Sequence, residues 1–192
     1  MKINQATVDL VKEFEGFRAE AYLDPVGIWT IGYGTTDAAG VGITPKPGMR
    51  ITKKEAETYL HLGLDKFARR IAPMIKQPIS ENEFGAFVSL AYNIGPGAFI
   101  KSTALQAFND GKKEKAANAI LLWNKATVNG VRKVLPGLDR RRRAERELFL
   151  SKSKAEPAGN AVFVTGLVAA VFTAVASFFE EIKAAITSLF GG

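Results

Sequence analysis

Residues 17–36 interrupt a chain that otherwise repeats at helical spacing, and this one break sets the fold class. Before it, Asn4 is placed to cap a helix, and Val8, Val11 and Phe14 follow on one face. Gly16 is a natural stop, so a helix is predicted over about 5–15. Within the break, Tyr22, Ile28, Trp29, Ile31 and Tyr33 favour strands, and Asp24-Pro25 with Gly27 marks a turn. A small hairpin or meander is expected there, followed by a Gly- and Pro-rich loop over 37–50.

Helices dominate the rest of the body. Thr52 with Glu55 and Ser80 with Glu83 have the spacing of capping boxes. The first opens a stripe of Ala56, Leu60, Leu64, Phe67 and Ile71 that ends near Pro78. The second opens Phe84, Phe87, Val88, Ala91 and Tyr92, stopped by Gly95-Pro96-Gly97. Shorter helices are predicted at 102–109, 113–123 and 137–151, with no internal repeat. The class is α+β: a small N-terminal sheet beside a mostly helical body.

Composition narrows the chemistry. There is no cysteine, which excludes disulfides and thiol catalysis. The lone histidine, His61, leaves little room for a metal site and reads as a surface or half-buried side chain. No metal and no organic cofactor is implied. The net charge of +7 is uneven: residues 1–156 carry 25 basic and 17 acidic groups, and residues 157–192 carry only Lys183 against Glu180 and Glu181. A basic body suits a polyanionic partner, whether nucleic acid, anionic membrane or bacterial cell wall.

Glu15, Asp24 and Thr30 are the candidates for chemistry. Glu15 ends the first helix, Asp24 sits at the hairpin turn, and Thr30 lies on the returning strand. Glycoside hydrolysis commonly uses one carboxyl as acid and a second carboxylate near the reacting carbon. Aromatic neighbours and the negative end of a helix dipole favour a protonated Glu15, while a polar turn keeps Asp24 ionised. By spacing alone, the same residues also fit a surface Glu ending a helix and an Asp capping a turn.

The stretch "EGFRAEAYLDPVGIWTIGYG" at 15–34 resembles the N-terminal motif of the phage-type lysozymes, or endolysins, of glycoside hydrolase family 24. There, a Glu-Gly is followed by an Asp after eight intervening residues and a Thr after five more, and Glu15, Asp24 and Thr30 match all three. Three further blocks are similar: "LAYNIGPGAF" at 90–99, "KSTALQAFNDG" at 101–111 and "LPGLDRRRRAERELFL" at 135–150, with Trp123 upstream of the last. The resemblance implies a lysozyme-like fold and a muramidase that cuts the β-1,4 bond between N-acetylmuramic acid and N-acetylglucosamine of peptidoglycan with inversion, for cell lysis. Glu15 would be the acid, and Asp24 with Thr30 would hold and activate a water. Tyr92, Asn93 and Gly32 would touch the glycan, and Arg141 would partner the catalytic Glu. Many members place His after the "GYG" strand; here it is Thr35, which puts local cleft detail in doubt. A catalytically silent wall-binding scaffold on the same fold is the alternative, and it would be expected to have lost one of the three residues.

Arg140–Arg143 could form a nucleic-acid patch, but no aromatic interleaving offers a stacking platform, so no nucleic-acid partner is expected. The other reading is a helix whose arginines divide between solvent and one internal partner. Trp29 is expected to pack in the core behind the hairpin. The chain is read as a catalytic domain over 1–150, a linker over 151–160 and a hydrophobic segment over 161–192. Residues 161–179 contain no charge. As a helix they would span roughly 28 Å, against about 30 Å of bilayer hydrocarbon. A membrane-anchoring helix is expected, with packing against the body in water as the competing reading. The N-terminus has no apolar h-region and no small-residue cleavage site, so no cleavable signal peptide is expected. The protein would be made in the cytoplasm and reach the host bacterial inner membrane or periplasm.

Overall fold

The computed structural model describes residues 1–128 and 130–152. Helix α1 (Gln5–Glu15) starts where Asn4 Oδ1 accepts the Thr7 backbone N–H and ends at Gly16, whose φ of 69° an L side chain disfavours. An antiparallel sheet of β1 (Arg18–Leu23), β2 (Trp29–Gly32) and β3 (Thr35–Thr36) follows, so the predicted meander is present. The register pairs Tyr22 with Thr30 and Leu23 with Trp29, then Thr30 with Thr36.

Both capping boxes are formed, at Thr52/Glu55 opening α2 (Lys53–Ile71) and at Ser80/Glu83 opening α3 (Glu81–Ile94). The helix α2 ends earlier than predicted, because Ala72–Met74, which contains Pro73, tightens into a 3₁₀ turn. Four helices complete the body: α4 (Pro96–Ile100), α5 (Thr103–Asn109), α6 (Lys113–Ile120) and α7 (Pro136–Leu150). The fold is α+β as expected, with seven α-helices among the described residues.

Three expectations need correction. Gly95-Pro96-Gly97 does more than stop α3, since Pro96 opens α4 at the first-turn position, where its missing N–H costs nothing. The predicted helix over 113–123 ends at Ile120 and passes into a 3₁₀ turn at Leu121–Trp123. A second hairpin, β4 (Lys125–Val128) with β5 (Val131–Val134), was not expected, and its strands are almost wholly exposed. Apart from Ser151 and Lys152, the predicted linker over 151–160 and the hydrophobic segment lie outside the described residues.

The core is built around α3, in which every residue from Asn82 to Ala91 is buried. Phe87 meets Phe99, Phe108 and Phe149 with ring centroids 5.1, 5.4 and 5.1 Å away. Helix α1 approaches α3 so closely that a Cβ on Gly85 would lie 1.9 Å from Thr7 Oγ1. Glycine is therefore required for contact there, which seats the first turn of α1 on α3. Trp29 is only half-buried and does not join this core, because it sits at the strand end near the exposed turn. His61 is exposed.

Candidate active site

Glu15 is the last residue of α1, so its side chain leaves the helix where the chain turns toward β1. It is half-buried, and its Oε1 accepts a hydrogen bond from Arg141 Nη1 of α7 at 2.7 Å. The other oxygen, Oε2, faces Gly34: a Cβ there would lie 3.7 Å from it. The carboxyl is thus held by one edge, and among the described residues no hydrogen bond engages the other. Arg141 also lies over the Phe14 ring at 5.9 Å, which restricts the guanidinium on a second side.

Glu15 and Gly34 line a cavity of about 570 Å³. Gly34, Thr35 and Thr36 of the sheet region line one side, Tyr59, Lys66, Phe67 and Arg70 of α2 another, and Tyr92 and Asn93 of α3 a third. A mixed wall of aromatic rings and polar groups suits a sugar, whose faces are apolar and whose edges are hydroxyls. Tyr92 hydroxyl reaches the Tyr33 carbonyl at 3.4 Å. Burial, assisted by the negative Glu15, pushes the Tyr92 phenol up to about 12. It therefore acts only as a neutral hydroxyl near neutral pH.

Asp24 and Thr30 form a second group, joined through one backbone unit. Asp24 Oδ1 accepts the N–H of Val26 at 2.9 Å and of Ile28 at 2.8 Å. Thr30 Oγ1 donates to the carbonyl of the same Ile28 at 3.1 Å. Neither side chain is among those lining the cavity wall, but Thr30 pairs across the sheet with Thr36, which is. Gly32 is absent from that wall too. Its φ of +66° turns it toward α2, where a Cβ would meet Ala56 Cβ at 3.0 Å, so close packing accounts for this glycine. Sequence reasoning missed Tyr59, Lys66, Phe67 and Arg70, which reach the cavity only because α2 runs beside the sheet. Phe67 belongs to the apolar stripe of α2 by spacing, yet it also lines the cavity.

Behind Glu15 lies a buried ion network. Arg141, Arg142 and Glu145 of α7 are 4%, 0% and 0% exposed, and the one internal partner expected for these arginines is two, Glu15 and Glu145. Glu145 Oε1 accepts from Ser89 Oγ at 2.8 Å, Arg142 Nη2 at 2.9 Å and Arg141 Nε at 3.2 Å. Arg142 Nε lies 2.8 Å from Glu145 Oε2 as an ion pair without hydrogen-bond alignment. Burial pushes the Glu145 carboxyl up from its ordinary value, while Arg142, Arg141 and the Ser89 hydroxyl pull it back. By contrast, Arg143 is exposed and pairs with Asp139 at 2.8 Å.

Comparison with known proteins bears on this geometry. The family model for phage lysozyme matches residues 12–145. The chain is 38% identical over 151 residues to an endolysin of Acyrthosiphon pisum secondary endosymbiont phage 1, covering 79% of this chain and 99% of that one. It is 37% identical over 139 residues to a SAR-endolysin of Pseudomonas phage phiKMV, covering 72% and 82%. Among solved structures, it is similar to an endolysin from Escherichia coli O157:H7 phage FAHEc1, with a TM-score of 0.71 and 42% identity over 79% of this chain and 94% of that one.

Proposed function

The chain belongs to the phage lysozyme family, and from that premise we propose that Glu15 is the general acid of a muramidase whose cleft is the cavity bounded by β3, α2 and α3. The protein is a peptidoglycan hydrolase of cell lysis, as its endolysin relatives indicate. The observation that carries the acid assignment is the divided carboxyl on the cavity wall: Oε1 is held by Arg141, and Oε2 faces Gly34, which lines the cavity with Glu15.

In the proposed reaction, a β-1,4 linkage between N-acetylmuramic acid and N-acetylglucosamine lies in the cleft. Glu15 Oε2 gives its proton to the glycosidic oxygen as that bond breaks. Asp24 and Thr30, coupled through Ile28, hold a water on the opposite face of the sugar, and Asp24 accepts its proton as it attacks. Attack opposite the leaving group inverts the anomeric centre. Tyr92 and Asn93 support the glycan from α3. Nothing favours a silent scaffold, because all three residues are kept.

Clearing of purified peptidoglycan by wild type and by Glu15→Gln, side by side, tests the assignment. The variant is expected to lose about a thousandfold in rate with its fold intact, because an amide cannot donate the proton. Retained clearing would sink the acid role. The anomer first released, read by proton NMR, tests inversion.

Residues 1–150 are proposed as the catalytic domain, 151–160 as a linker and 161–179 as an inner-membrane anchor. No described helix is long and apolar enough to cross a membrane, and the uncharged run lies outside the described residues. The support is that run itself together with the similarity to a SAR-endolysin. Cell fractionation with and without residues 157–192 tests it: the intact chain is expected with membranes and the truncated one in the soluble fraction.

A further inference from the structure

An acid that must carry a proton is a poor match for a cation 2.7 Å away. Arg141 alone would hold Glu15 as a carboxylate, because an opposite charge at hydrogen-bond distance favours the ionised form. The groups behind Arg141 address this conflict. Glu145 takes the Arg141 Nε at 3.2 Å, Arg142 packs on Glu145, and Ser89 Oγ donates to it at 2.8 Å. Arg141, Arg142 and Glu145 sum to +1 while Glu15 holds its proton and to zero with Glu15 once it has given it, and without Glu145 both totals would be one unit more positive. The inner three are buried, where charges act on one another with little screening.

We infer that Glu145 is a positioning residue for the acid: it anchors the Arg141 guanidinium by Nε, leaves Nη1 to hold Glu15 by one edge, and offsets the Arg141 charge so that Glu15 keeps a proton to give. Arg142 sets the size of that offset from the far side. Glu145 is ionised in this arrangement, since arginine does not deprotonate in proteins and a neutral Glu145 would leave two buried cations with only the half-buried Glu15 to balance them. The remaining groups around Glu15 do not replace it. Tyr92 of α3 is a neutral phenol, and Lys66 and Arg70 of α2 add only positive charge to the cleft. Glu13, Arg140, Arg143 and Glu147 border the neighbouring groove and are all exposed to solvent screening.

This inference rests on Glu15 being the acid, and its test separates the two. Counted with Glu15 ionised, Glu145→Gln leaves the network at +1, and Arg142→Met leaves it at −1. The alkaline limb of the clearing rate is expected to move down by about one pH unit in the first and up by about one in the second. The double variant restores neutrality and is expected to return the limb to the wild-type position. A purely packing role predicts lower rates with no movement of the limb, or movement in one direction for both variants, and either result overturns the inference. Titration of the Glu15 carboxyl carbon by NMR in the same proteins reads the same shifts without activity. If Glu15→Gln still clears peptidoglycan, the acid assignment fails, yet the NMR shifts still decide the role of Glu145. Should a single variant not fold, the carboxyl carbon of Glu145 in the wild type decides: an ionised signal from pH 5 to 8 supports the inference, and a protonated one overturns it.

Discussion

The acid end of the site and the turn end are built in opposite ways. Glu15 is fixed by a partner 126 residues away in sequence, which is itself held in a buried network. Asp24 is fixed by N–H groups two and four residues away, on an exposed loop. The difference follows from what each group must do. An acid whose proton affinity depends on its surroundings needs surroundings that cannot rearrange, and only the core supplies them. A carboxylate that holds a water needs access and a fixed direction, and a short turn supplies both. Damage at the acid end should therefore cost stability and activity together, while damage at the turn should cost activity with little loss of stability.

The largest expected effect tests the first half. Arg141→Met removes one member of the buried network and leaves Glu145 and Glu15 short of a partner, which should destabilise by about 3–5 kcal/mol. Thermal unfolding should show a midpoint lower by roughly 10 °C. A drop of under two degrees would mean that the network does not stabilise the fold and that the contrast is wrong. The turn provides the next test. Asp24→Asn keeps an oxygen to accept from Val26 and Ile28, so the midpoint should stay nearly unchanged while clearing falls about a hundredfold. Asp24→Ala should lose the same activity and also about 1 kcal/mol from the two lost hydrogen bonds. If Asp24→Asn unfolds as easily as Asp24→Ala, the side chain matters as a charge within the turn as well as an acceptor.

The same contrast explains what was legible in the sequence. The turn group is local, so Asp24-Pro25, Gly27 and the strand-forming residues announced it. The two capping boxes were legible for the same reason, each being complete within four residues. The ion network was not legible, because Arg141, Arg142 and Arg143 are adjacent and chemically identical. Only the packing of α7 against α3 buries the first two and leaves the third in water. The cleft wall on α2 was hidden likewise: Phe67 fits an apolar stripe whether it packs inward or lines a cavity. The hairpin over 125–134 was missed although Val128 and Val131 flank an Asn-Gly pair, a known hairpin signal. Its exposed Lys and Arg residues masked the alternation.

A pH test probes the acid end without removing a charge. The Tyr92 phenol is raised from its ordinary value to about 12, chiefly by burial. The folded state therefore holds that proton more tightly than the unfolded chain does. Stability from this group is intact below pH 10 and is lost as pH rises from 10 to 12, where the unfolded chain ionises first. Wild type should lose about 1–2 kcal/mol more than Tyr92→Phe over that interval in urea unfolding. Equal losses would mean that water reaches the phenol and that the cavity wall is looser than drawn.

The smallest effect reaches Glu15 from the far end of its helix. Asn4 Oδ1 accepts from the Thr7 N–H at 3.1 Å and the Thr7 hydroxyl at 2.8 Å, and Asn4 Nδ2 donates to Asn82 of α3 at 2.6 Å. These bonds anchor the start of α1 to the helix that carries Tyr92. Asn4→Ala should cost about 1 kcal/mol, the usual value of a lost N-cap. Its effect on clearing discriminates more sharply than its effect on stability. If the Arg141 ion pair fixes the far end of α1, as its closeness implies, the rate should stay within about twofold of wild type, because fraying at one end of an 11-residue helix need not move the other. A tenfold loss of rate at unchanged fold would show that the acid is aimed by the whole length of α1, and that the burial around Arg141 is not sufficient to hold it.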